Sequence, residues 1–127
     1  MGTTKSFTSL EQSKKLAETL LLESADMCYK CIGEDPYDIV LRPYSEWKEE
    51  YRGLLVAKEA DIIPCWSLMA LIDILPLIDI EKEICSYNTY NYRVKAYIGD
   101  GYVGDWFDNP VDACYEMILT LKESNLL

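Results

Sequence analysis

Histidine is absent from the chain of 127 residues. That absence removes Ser-His-Asp and Cys-His nucleophile pairs and every metal site with an imidazole ligand. Any enzymatic chemistry would have to draw on carboxylates, lysine, tyrosine or thiolates. Positive charge is scarce: 12 basic residues stand against 22 acidic ones, for a formal net charge of -10. Apart from Lys14-Lys15 the basic residues stand singly, so no stripe tracks a phosphate backbone and direct nucleic-acid binding is not expected. Glycine is sparse, and Gly99, Gly101 and Gly104 belong to a hairpin pattern rather than a phosphate-cradling loop before a helix. No long apolar run is uninterrupted. The segment from Ile62 to Ile80 is broken by Asp73, Pro76 and Asp79, which argues against a membrane span because a charge at mid-bilayer is costly. No apolar stretch of the secretory kind follows Met1-Gly2-Thr3-Thr4-Lys5-Ser6. The five cysteines are odd in number, so free thiols in a reducing cytoplasm fit better than a disulfide framework.

What is present is a globular composition, 50% hydrophobic and 27% charged, at a length suited to one domain over residues 1–127. Residues 1 to about 7 are expected to be disordered. Thr8 with Glu11 and Ser9 with Gln12 form two overlapping capping boxes. Leu10, Leu16, Ala17, Leu20 and Leu21 then predict an amphipathic helix ending between residues 22 and 26. Met27–Ile32 and Tyr37–Arg42 flank Gly33-Glu34-Asp35-Pro36, turn chemistry that predicts a hairpin. Ser45–Gly53 reads as a short capped helix and Leu54–Ala57 as a strand. Pro64 and Pro76 bracket a helix that is apolar on nearly every side, hence expected to be the most buried, with Trp66 and Leu71 in the core.

Thr89–Ile98 alternates strictly, with Tyr90, Tyr92, Val94, Ala96 and Ile98 on one face and Asn91, Arg93, Lys95 and Tyr97 on the other. Asp100-Gly101 is a favoured two-residue turn. It would return Gly101–Phe107 with Val94 facing Phe107 and Lys95 facing Trp106, with a bulge near Gly104. Asn109 as N-cap, Pro110 in the first helical position and Asp112 in the first turn open a last helix, whose inward stripe is Val111, Cys114, Met117, Ile118 and Leu121. The predicted order is α-β-β-(α)-α-β-β-α: a single α+β domain with a small, mainly antiparallel sheet packed with helices.

Four segments carry a resemblance. Glu11-Gln12-Ser13-Lys14-Lys15-Leu16, Ala25-Asp26-Met27-Cys28-Tyr29, Ile63-Pro64-Cys65-Trp66-Ser67-Leu68 and Asp108-Asn109-Pro110-Val111-Asp112-Ala113 resemble parts of small uncharacterised proteins encoded in prophages and mobile elements of gut bacteria. Residues 89 to 123 are also similar to the phage α-β-α sandwich domain. The resemblance implies a sheet packed between helices and a phage or mobile-element origin. It implies no activity, so no functional residue is carried over.

Chemistry-bearing constellations are few. Cys28 and Cys31 have the spacing of a metal or redox pair, but Cys65, Cys85 and Cys114 are isolated; as strand residues three apart the two thiols point to opposite faces, whereas a first helix running through Cys31 would set them on one face. No cofactor is expected. Asp100, Asp105, Asp108 and Asp112 lack the ligand spacing and closing glutamate of a calcium loop, and turn and helix-start roles account for each separately. Ten tyrosines and three tryptophans are an excess. Tyr90 and Tyr92 are expected in the core. Arg93, Lys95, Tyr97, Tyr102 and Trp106 form either an exposed aromatic-cationic interaction surface or a face covered by a second helix layer. The leading expectation is a non-catalytic interaction or accessory protein of a phage or mobile element, binding a protein partner or a second copy of itself. A small carboxylate- or thiol-dependent enzyme or metal protein is one alternative, and an acidic nucleic-acid mimic another.

Overall fold

The computed structural model describes residues 5–30, 38–41, 62–76, 78–86, 89–98 and 101–127. The fold class is α+β, as the sequence predicts, but the strands divide between two antiparallel sheets instead of forming one. Two compact units result, Phe7–Ala70 and a second made of Met1–Ser6 with Leu71–Leu127. The expected helix over Ser45–Gly53, the strand over Leu54–Ala57, the turn over Gly33–Pro36 and the loop residues Gly99 and Asp100 lie outside the described residues.

In the Phe7–Ala70 unit, helix α1 (Leu10–Ala17) uses the second of the two capping boxes. The Gln12 N–H donates to Ser9 Oγ at 3.2 Å and the Ser9 N–H donates back to Gln12 Oε1 at 3.0 Å. Thr8 does other work. It is fully buried, its Oγ1 accepts from the Trp66 N–H at 3.1 Å, and that oxygen lies 2.7 Å from Ser13 Oγ. The helix stops at Ala17, short of the predicted end between 22 and 26, and Leu21 is 73% exposed. The cause is tertiary. The chain must return so that the Tyr29 hydroxyl can donate to the Thr8 carbonyl at 2.6 Å, and each further helical residue would carry it about 1.5 Å away. Phe7, within the segment expected to be disordered, instead bridges to Ser67, and its ring meets Tyr29 edge-on.

Strands β1 (Met27–Lys30) and β2 (Asp38–Leu41) form the predicted hairpin pair, and β3 (Ile62–Cys65) joins the other side of β1. Here the expected helix start at Pro64 is overturned. Pro64 sits opposite Cys28 in a strand that is at the sheet edge among the described residues, where its missing N–H is tolerated. Helix α2 (Leu68–Ile74) begins only after Ser67, whose Oγ accepts from the Ala70 N–H at 3.2 Å while Asp26 accepts the Ser67 N–H at 2.9 Å. Trp66 and Leu71 are fully buried as predicted, yet Met69 is 64% exposed, so the helix is not enclosed on every side.

The second unit is built on β5 (Thr89–Ile98). It pairs with β4 (Ile78–Ser86) on one side and with β6 (Gly101–Val103) and β7 (Trp106–Phe107) on the other. The observed register differs by two residues from the predicted one: Tyr92 faces Phe107, Arg93 faces Trp106 and Ile98 faces Gly101. Gly101 is therefore a strand residue. The same register continues from β6 into β7, so Gly104-Asp105 interrupts the ladder without inserting the bulge residue expected there. A shift of two keeps every side chain on its predicted face, because the strand repeat is two. Helix α3 (Pro110–Glu123) is capped as predicted, with the Asp112 N–H donating to Asn109 Oδ1 at 2.8 Å. It packs on β5 and β7, burying Val94, Ala96 and its own stripe of Val111, Cys114, Met117, Ile118 and Leu121. Among the described residues no helix is long and apolar enough to cross a membrane.

Candidate interaction site

Strand alternation turns Arg93, Lys95 and Tyr97 away from the face that α3 covers, and the ladder to β6 and β7 sets Tyr102 opposite Tyr97 and Trp106 opposite Arg93. All five residues expected at the interaction surface are thus brought together. The expected partner of Trp106 was Lys95; the two-residue shift of register makes it Arg93 instead. The guanidinium carbon of Arg93 lies 4.5 Å from the Trp106 ring centroid and 5.4 Å from that of Tyr102. Lys95 Nζ lies 4.3 Å from the Tyr102 centroid and 5.9 Å from that of Tyr97. The rings of Tyr97 and Tyr102 meet edge-on at 6.2 Å. A cation held over the negative face of an aromatic ring is attracted by its quadrupole.

The residue that sequence reasoning missed is Glu81. It lies on β4 directly opposite Arg93, accepts from Arg93 Nε at 2.9 Å, and places its second oxygen 3.7 Å from Lys95 Nζ. The neighbouring Asp79 accepts from the Tyr97 hydroxyl. Those contacts raise the Arg93 pKa, chiefly through the Glu81 hydrogen bond, and raise that of Tyr97, chiefly through the Asp79 hydrogen bond. Both groups therefore keep their protons firmly at neutral pH. The signal was present in the sequence: Ile78, Ile80 and Ile84 alternate with Asp79, Glu81 and Glu83, a period of two that predicts a strand.

Cation, acid and aromatic side chains are in this way fixed by one another. The Arg93 and Lys95 side chains keep only 19% and 16% of their exposure, while Tyr97 and Tyr102 are about half exposed and Trp106 is half-buried. Trp106 is not sealed beneath a helix. Tyr90, by contrast, is not the core residue expected: it is 39% exposed, with Lys82 Nζ 4.2 Å from its ring centroid. Burial by α3 concentrates on Val94 and Ala96, and Tyr90 lies beyond them along β5.

Of the remaining candidates, the cysteine pair is described only in part. Cys28 is buried in β1, Cys31 lies outside the described residues, and no metal-binding group of His, Cys, Asp or Glu occurs among the described residues. Burial raises the thiol pKa of Cys65 and pushes that of Cys114 up to about 12, so both stay protonated and poorly nucleophilic at neutral pH. Asp112 is occupied in the first turn of α3, paired with Lys5 at 2.8 Å and accepting from Asn109 Nδ2. No known protein family, curated protein or solved structure matches the chain.

Proposed function

We propose that this chain is a non-catalytic interaction protein, an accessory component of a phage or mobile element, which docks a protein partner through the sheet face of Arg93, Lys95, Tyr97, Tyr102 and Trp106. The single observation that carries the docking role is the half-buried Trp106 with Arg93 stacked on it, in a face that no helix of its own unit covers among the described residues. Trp, Tyr and Arg are the residues that dominate binding energy where proteins meet. Holding them in place beforehand reduces the ordering cost of association. The phage or mobile-element origin rests on the four resembling segments, and a cytoplasmic setting on the free thiols of Cys65, Cys85 and Cys114.

Two observations weigh against the other classes. The Cys65 and Cys114 thiols are held protonated, which is unfavourable for thiolate catalysis at either. On this face Glu81 and Asp79 spend their acceptor oxygens on Arg93, Lys95 and Tyr97, which leaves them poor stand-ins for phosphates.

The test is recovery of the tagged full chain from its native cells, beside Trp106→Ala and the distant Lys122→Ala. A protein retained by the wild type and Lys122→Ala but lost from Trp106→Ala supports docking at this face. If the partner is itself a second copy, sedimentation gives the same ordering. Identical recovery and sedimentation for all three chains overturns the proposal.

A further inference from the structure

On the opposite face of the same sheet a cleft opens between the strands and α3. Its volume is about 450 Å³ and its lining includes Val94, Phe107, Ala113 and Met117, with Asp105 and Glu116 also on its wall. Its origin can be followed from the sequence. The ladder is interrupted at Gly104-Asp105, between β6 and β7, so no continuous strand fills the space beside Val94. Gly104 has no side chain there, and cannot have one, because a Cβ would collide with the Val94 carbonyl oxygen. On the helix, Ala113 recurs with Glu116, Met117 and Thr120 at the three- and four-residue spacing of one face, and alanine leaves room where a longer residue would fill it.

The chemistry of the lining is asymmetric. Val94, Ala113 and Met117 are buried and apolar, whereas Asp105 and Glu116 are exposed carboxylates with no hydrogen bond or ion pair to any described residue. That contrasts with Asp79, Glu81 and Asp112, each engaged by a donor of the chain. The size falls in the range of small-molecule sites, about 300–1,000 Å³, which are mostly apolar with a few polar groups to set orientation. A chain of net charge -10 also raises the local concentration of cations.

We infer that this cleft binds a small organic cation, an ammonium or guanidinium group carried on an apolar body, with the body against Val94, Ala113 and Met117 and the charge between Asp105 and Glu116. The inference does not rest on the docking proposal: Tyr102 of that face also lines the cleft, but the groups argued to hold the ligand, Val94, Asp105, Ala113, Glu116 and Met117, do not belong to it. Tryptamine is a suitable probe and indole-3-propionate its anionic counterpart, titrated into the full chain while the methyl resonances are followed by NMR. Saturable tryptamine shifts confined to Val94, Val103, Ala113 and Met117 are expected, with indole-3-propionate at least tenfold weaker. Asp105→Asn and Glu116→Gln, both at exposed positions that should not disturb folding, should each weaken tryptamine about two- to fivefold. Ala113→Val should weaken it further by filling the floor. Three results overturn the inference: no saturable shift, equal binding of the anion, or tryptamine shifts unaltered in the Asp105→Asn/Glu116→Gln double variant.

Discussion

A Cβ placed on Gly104 would collide with the carbonyl oxygen of Val94 on the neighbouring strand, and Gly104 holds φ at +151°. Both conditions demand glycine, one by space and the other by backbone conformation. Gly104→Ala should therefore destabilise the fold by about 1–3 kcal/mol from the backbone alone, and by more if β5 and β6 are forced apart. Urea unfolding of the two chains measures this. A difference below about 0.5 kcal/mol would mean that the strands part without cost.

Trp106 stacks on Arg93 at the surface and does not fill the core, so its loss should act on association more than on stability. Trp106→Ala is expected to abolish partner retention or self-association while leaving the thermal midpoint within a few degrees. A fall of more than about ten degrees would assign the indole to structural packing.

Leu71 is fully buried in α2. Leu71→Ala should cost about 2–5 kcal/mol, the range for emptying a leucine site in a packed interior. Met69→Ala, on the same helix but 64% exposed, should lie within about 0.5 kcal/mol of the wild type. Equal effects from the two would contradict the one-sided burial of this helix.

Stability should fall in alkaline solution, and the sign follows from Cys114. Its thiol is raised from 9.0 to about 12 by burial, so below pH 9 both folded and unfolded chains hold the proton and stability is level. Between pH 9 and 12 the unfolded chain releases it while the folded chain does not, and rising pH favours unfolding. The slope from this group is at most about 1.4 kcal/mol per pH unit. Tyr29, also raised to about 12, mainly by burial, adds to it above pH 10. Urea midpoints from pH 8 to 11 should decline, and Cys114→Ala should flatten the decline. An unchanged slope in that variant would show that the thiol is not held protonated.

Thiol labelling offers a separate check. Cys85 is exposed, whereas Cys28, Cys65 and Cys114 are buried, so a thiol-reactive reagent at pH 8 should label Cys85 within the mixing time and the other three only in urea. Prompt labelling of Cys114 in the native chain would contradict its burial on the inward face of α3.

Local chemistry by itself determined much of this protein. The caps at Ser9 and Asn109, the first-turn Pro110, the hairpin formed by β1 and β2 and the two faces of β5 are all readable, because each depends on neighbours within a few residues. The five members of the aromatic-cationic face were legible for the same reason: alternation places them, and it survives a two-residue error of register. Tertiary structure decided what depends on distant partners. Pro64 looks like a helix start, but β1 offers a strand to pair with and an edge position forgives its missing N–H. Leu20 and Leu21 continue a helical pattern, but the return of Tyr29 to Thr8 ends the helix at Ala17. Glu81 shows the same division. Its alternation with isoleucines was there to read, but only the pairing of β4 with β5 makes it the carboxylate that accepts from Arg93 and pairs with Lys95, since that pairing brings together residues from separate strands.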